Sequence, residues 1–153
     1  MNSVLSKCKI GFPVTAIATA TPGTDYTVNT LTINTKNFVD PCIKFEFASN
    51  IIATPSTDVE GADLTLNFQM YRLCKGETTR TALGPVWTFV RTAGTDPTSD
   101  TFTFIVCDCD CDCNCVLHSC CTYTVVVAAV GAGTGVINNP TISALVVEKS
   151  YRC

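Results

Sequence analysis

Sulfur is the chemically capable element of this chain, and its spacing is unusual. Five of the eleven cysteines fall at every second position, Cys107, Cys109, Cys111, Cys113 and Cys115, interleaved with Asp108, Asp110, Asp112 and Asn114. In an extended strand, successive side chains point to opposite faces, so this stretch predicts a row of thiols on one side and carboxylates on the other. Thiols two residues apart on a strand are separated by about 6.5–7 Å, whereas a disulfide needs Cβ atoms about 3.5–4.5 Å apart. Ladder cysteines therefore should not pair with each other. Their partners are expected among Cys42, Cys74, Cys120, Cys121, the terminal cysteines, a neighbouring subunit or a metal ion. The carboxylate row is expected to face solvent or a cation, because three like charges on one edge resist burial.

Two kinds of chemistry suit such a ladder. Disulfide cross-linking is the first. An odd number of cysteines cannot all pair within one chain, and Cys8 and Cys153 lie near the termini, where they are badly placed to staple a core and well placed to reach a neighbour. Cys8, Cys153, Cys120 and Cys121 are the candidate intersubunit cross-links. Soft-metal binding is the second. Thiolates favour copper, zinc or iron–sulfur clusters, and the candidate ligands are Cys107, Cys109, Cys111, Cys113, Cys115 and His118. Single-residue gaps suit a row of ions better than one tetrahedral site. Disulfides are the preferred reading, and no cofactor is expected.

Catalytic constellations are sparse. His118 is the sole histidine and reads as a loop residue among cysteines. Nothing near it resembles a nucleophile elbow, a phosphate loop or a paired-carboxylate site. The run Gly131-Ala132-Gly133-Thr134-Gly135 has no helical pattern after it and reads as a hairpin turn. No enzymatic activity is expected.

The elements that must hold these thiols are strands. Cys42 to Ala48 alternates with Ile43, Phe45 and Phe47 inward and Lys44 and Glu46 outward. Leu64, Leu66, Phe68 and Met70 repeat the pattern before a turn at Lys75-Gly76. Val14 to Ala20, Tyr26 to Asn34, Val86 to Arg91, Thr101 to Cys107, Thr122 to Val130 and Thr141 to Lys149 bring the total to about eight. Trp87 and Phe89 read as packing residues. The expected fold is all-β: a single β-sandwich or jelly-roll, with an up-and-down barrel as the alternative. Phe102, Phe104 and Val106 share a face that Asp108 would continue, so the strand is expected to leave the sandwich, or the core to end, near Cys107. The expected organisation is a connector arm over residues 1–13 and a sandwich domain over 14–153, with an exposed cysteine-rich extension at 107–121.

Composition narrows the partners. The chain has 153 residues, enough for one domain that folds without staples, so the cysteines point to resistance or linkage. Net charge is −3 with 15% charged residues, which predicts no nucleic-acid surface. Low charge beside 46% hydrophobic residues suggests a surface covered by other copies of the chain. No apolar run is long enough for a membrane span. Lys7 to Ala20 loosely mimics a signal peptide, but Pro13 and the threonines break it, and it reads as a retained structural arm.

Several segments also carry a resemblance: Leu73-Cys74-Lys75-Gly76, Gly84-Pro85-Val86-Trp87-Thr88-Phe89, Thr101 through Cys109 (TFTFIVCDC) and Cys120-Cys121-Thr122-Tyr123-Thr124-Val125. Over roughly Phe38 to Val147 the chain resembles an uncharacterised cysteine-rich domain family of clostridial spore-formers. More distantly, the arm and all-β body are similar to endospore appendage subunits of bacilli, jelly-roll proteins whose amino-terminal connectors form disulfides along a pilus-like fibre. That resemblance implies a self-assembling homopolymer in an extracellular or spore-surface filament, without a cleaved signal peptide, and a cross-linking role for Cys8. The appendage families do not require a five-step cysteine ladder. Soft-metal binding by Cys107 to Cys115, within such a filament or apart from it, is the alternative.

Overall fold

The computed structural model describes residues 4–21, 23–109 and 120–148. Nine strands account for most of them: β1 (Val4–Ile10), β2 (Val14–Ile17), β3 (Asp25–Asn34), β4 (Pro41–Pro55), β5 (Leu64–Cys74), β6 (Thr81–Arg91), β7 (Thr98–Asp108), β8 (Cys120–Gly131) and β9 (Gly133–Glu148). They form two antiparallel sheets. Sheet A runs β1-β9-β4-β7, with β2 also on β9, and sheet B runs β3-β8-β5-β6. Two packed sheets, with most successive strands crossing between them, make a sandwich of the jelly-roll kind. The barrel alternative is set aside by the separate edges of the sheets.

The alternation that marks β4 in the sequence decides its seat. Burial switches at every one of its residues from Pro41 to Pro55, as a strand with one face on a core must. Ile43, Phe45, Phe47, Ile51 and Ala53 face inward and meet Leu64, Leu66, Phe68 and Met70 of β5. Aromatic rings knit the layers at their centre. Phe45 lies 4.3 Å from Tyr123, Phe68 4.7 Å from Phe102, and Trp87 stacks on Phe104 at 4.2 Å. The edge strand β6 thereby closes one side of the sandwich with its tryptophan.

The other side is closed by the amino-terminal segment, expected as a connector arm and here paired with a strand of its own chain. Residues 4–10 form β1, paired antiparallel with β9 of the same chain from Val4↔Val147 to Ile10↔Thr141. Lys7 and Lys9 point toward sheet B and donate to the carbonyls of Thr32 and Thr30, each at 2.9 Å. Asn29, buried at a bulge in β3, donates to the carbonyls of Lys9 and Pro140. That amide clamps the place where β9 kinks and where Gly11-Phe12-Pro13 separates β1 from β2. A turn is present at the glycine run, with Gly131 and Gly133 at φ +94° and +118°, conformations that only glycine adopts without strain, but the expectation of a hairpin there is corrected: the turn carries the chain from β8 in sheet B to β9 in sheet A, and these two strands do not pair.

β7 runs one residue past Cys107, and β8 begins at Cys120. The ends of the expected 107–121 extension are therefore strand residues, and residues 110–119 lie outside the described part of the chain.

Candidate functional site: the cysteine-bearing end of the sandwich

Strand register brings most of the described cysteines to one end of the molecule. β4 and β7 meet there through Ile43↔Asp108, and the next pair outward is joined as the Cys42–Cys109 disulfide, 67 residues apart in sequence with Cα atoms 4.4 Å apart. In sheet B the corresponding last pair is Cys74↔Cys121, also a disulfide. Each sheet is stapled at its final row. Their surroundings differ. Cys74 and Cys121 are 3% and 5% exposed and lie on the core face, whereas Cys42 and Cys109 are half-buried and lie on the outer face of sheet A.

Behind the staples, the core ends in charge. Asp108 keeps the inward phase of Phe104 and Val106 and is buried. Its carboxylate accepts from Arg72 Nη1 at 2.8 Å and from the Tyr123 hydroxyl at 2.7 Å. Asp108 comes from sheet A, and Arg72 and Tyr123 from a paired position in sheet B, so the ion pair bridges the two layers. Of the two surroundings expected for the carboxylate row, solvent or a cation, Asp108 has the second: the Arg72 guanidinium, with the Tyr123 phenol beside it, replaces water as its partner, which is what makes its burial tolerable. Asp110 and Asp112 lie outside the described residues. Arg72 and Tyr123 were missing from the sequence reading, although Arg72 follows Leu64, Leu66, Phe68 and Met70 in their inward phase.

The remaining candidates fall as follows. Cys8, on β1, and Cys107, on β7, are exposed free thiols, and Cys120 is a half-buried one. Alternation places Cys8 and Cys107 on the outer face of sheet A, at its two opposite edges. Cys121 is joined to Cys74 within the chain, so its assignment as an intersubunit cross-link is corrected. Cys109 is bonded to a cysteine outside the ladder, Cys42. Cys111, Cys113, Cys115, His118 and Cys153 lie outside the described residues. Among the described residues, no three His, Cys, Asp or Glu side chains are grouped to hold a metal ion.

An exposed ion pair lies beside Cys107 on the outer face of sheet A. Lys44, its cross-strand partner, forms an ion pair with Glu46 at 2.7 Å. The hydrogen bond that Lys44 donates to the Glu46 carboxylate holds its ammonium above the ordinary pKa, and the Cys107 sulfur adds to that in small part.

The family model for a domain of unknown function, DUF4489, matches residues 2–147. The chain belongs to that family. No curated protein matches it. Among solved structures, the chain is similar to one titled as infectious bursal disease virus, Gx strain, at 10% identity and TM-score 0.34, covering 95% of this chain and 39% of that one. It is similar also to the VP2 subviral particle of infectious bursal disease virus, at 9% identity and TM-score 0.34, covering 95% and 40%. The chain thus spans about two-fifths of the length of these viral chains. Likeness at this level adds no functional information. No helix among the described residues is long and apolar enough to cross a membrane.

Proposed function

We propose that this DUF4489 domain is a self-assembling structural subunit of an extracellular or spore-surface filament, locked by disulfides between copies. The observation that carries the reading is β1, an edge strand exposed at nearly every residue, held to the body through one strand ladder and a few side-chain bonds, and bearing the exposed thiol Cys8. A strand held in this way can be replaced by the same strand of a neighbour at little net cost, because the ladder lost within one chain is regained between two. β7 offers a second open edge, eleven residues long, at the far side of the same sheet. Such an edge invites strand addition unless something covers it. Contacts between different surfaces that do not close into a ring give an open fibre.

Electron microscopy of the full chain and of a form lacking residues 1–12 tests this. Fibres are expected from the full chain, and a folded monomer from the truncation. Normal fibres from the truncated protein would reject a role for β1 in assembly. Boiling in detergent should leave high-mass species that collapse to about the 16.3 kDa monomer only with reductant. Monomer without reductant would reject covalent locking.

A further inference from the structure

The two disulfides of this domain differ in access, and one of them has a free thiol beside it. Cys74–Cys121 is sealed in the core. Cys42–Cys109 is half-buried on the outer face of sheet A, with Cys109 immediately beyond the last residue of the edge strand β7. Cys107 shares its face: it is two residues from Cys109 along β7, about 6.5–7 Å away, and diagonal to Cys42 across the ladder, about 7–8 Å between Cα atoms. Cys107 is exposed and reduced, and the ammonium of Lys44 stands opposite it. Three sulfurs, one disulfide and one thiol, therefore occupy adjacent places on an accessible face.

We propose that Cys42, Cys107 and Cys109 form a thiol–disulfide exchange site whose substrate is an exposed thiol of a second copy of this chain. Among the described residues, Cys8 is the exposed thiol that does not belong to the site, and it is the incoming group. Its thiolate attacks Cys42 Sγ. A Cys8–Cys42 bond forms, the Cys42–Cys109 bond breaks, and the electron pair leaves on Cys109, which takes up the proton that Cys8 lost. Thiol and disulfide numbers are unchanged, so no oxidant is consumed. Cys107 is the resolving thiol. Its thiolate attacks Cys42 Sγ of the mixed bond, expels Cys8, and leaves a Cys42–Cys107 disulfide with Cys109 as the new thiol. The Cys42–Cys107 bond requires the end of β7 to slide along β4, because Cα atoms more than about 7 Å apart are not bridged without backbone movement, and opening the Cys42–Cys109 staple at the end of this edge strand frees it to do so; no such slide brings Cys107 and Cys109 together, since their separation is fixed within one extended strand. Cross-links made this way are reversible until the copies are seated. The choice of a second copy as substrate rests on the filament reading, while the chemistry of the site does not.

Two measurements test the proposal, both on the full chain under anaerobic conditions. In the first, reduced glutathione is the probe, with alkylation trapping and peptide mapping. Cys42 and Cys109 should become trappable at least tenfold faster than Cys74 and Cys121, and Cys107→Ser should raise the amount of glutathione held on Cys42 at least threefold. Equal opening rates, or an adduct level indifferent to Cys107→Ser, would overturn the site. Cys107 is exposed, so an unchanged melting temperature confirms that the variant is folded. In the second, the chain is concentrated without oxidant. A Cys8–Cys42 cross-peptide should appear with no fall in total thiol, and Cys8→Ser should abolish it. Covalent species that form only with oxidant, with two thiols lost per link, or that map elsewhere, would overturn the second copy as substrate. Fibres that assemble without the Cys8–Cys42 link would leave the filament reading standing and reject exchange; the link without fibres would do the reverse.

Discussion

Replacing Asp108 by alanine should be among the most damaging single changes in this domain. Its side chain is 3% exposed, and that of its partner Arg72 is 20% exposed. Removal strips a guanidinium that is largely out of water of the carboxylate 2.8 Å away, and takes from the buried Tyr123 hydroxyl its acceptor at 2.7 Å. Breaking a buried pair by deleting one member costs about 3–5 kcal/mol, and the partial exposure of Arg72 favours the lower end. At about 2–4 °C per kcal/mol for a domain of this length, the melting temperature should fall by roughly 6–12 °C. Guanidinium denaturation with the disulfides intact, followed by Trp87 fluorescence, gives the free energy directly. Tyr123→Phe removes one bond to a charged acceptor and should cost about 1.5–3 kcal/mol. The double replacement Arg72→Met with Asp108→Leu should recover most of the loss, because it leaves no charge to desolvate. A loss below about 1 kcal/mol for Asp108→Ala would refute the assignment of this pair as the closure of the core, since that is the range of exposed ion pairs. Because Asp108 immediately precedes Cys109, the variant should also speed reduction of Cys42–Cys109.

Other expectations follow from separate places in the fold. Replacing both Cys74 and Cys121 by serine removes a cross-link spanning 47 residues and should cost about 4 kcal/mol on the chain-entropy scale, read by chemical denaturation. Asn29→Ala deletes two donations to carbonyls of β1 and the β9 kink; hydrogen exchange at residues 4–10 should accelerate by at least tenfold while exchange in β5 stays slow. Gly135→Val should cost about 1–3 kcal/mol by overpacking, because even a Cβ there would sit 2.6 Å from Leu66 Cδ1 across the sandwich. Asp100 is held below the usual carboxylate range chiefly by the Thr98 hydroxyl, with Arg91 adding to it. Its folded pKa is depressed, so its contribution is present above the ordinary carboxylate pKa and is lost as pH falls through the folded value; Asp100→Asn should lower the melting temperature at pH 7, and the difference from the parent should shrink as the pH is lowered below the ordinary carboxylate range.

The body of the fold was legible because its strands are half-buried, and half-burial writes itself into sequence with a period of two. β5, β7 and the first half of β4 could be read in this way, down to which of Lys44 and Phe45 faces water, whereas the continuation of β4 past Ala48 to Pro55 was not read. The amino-terminal strand was not. β1 buries almost nothing, so its sequence carries no alternation of apolar residues, and its pairing is decided by backbone bonds to β9 that composition cannot report. The site was half legible. That Cys109 must find a sulfur outside its own ladder follows from strand geometry, and Cys42 is that sulfur. Its neighbour Asp108, one carboxylate at the end of an apolar face, marked the place where the core ends, but its partner could not be named from that strand alone. Arg72 closes an equally apolar face on β5 with the opposite charge. Two such breaks of phase, of opposite sign, are together the mark of a buried pair between layers, and neither strand shows it alone.

The placement of β1 beside β9 also settles how the domain bears load. Val4 pairs with Val147, so the first residue of β1 and the last residues of β9 lie side by side at the cysteine-bearing end. A pull applied at those two strand ends opens the ladder one residue pair at a time, like a zip, and each step resists with only a bond or two. The same pull applied between the sulfurs of Cys8 and Cys107 crosses β1, β9, β4 and β7 in turn and meets whole ladders at once. Tensile strength in any array of these domains is therefore set by whether neighbours hold one another by the strand ends or by sulfur.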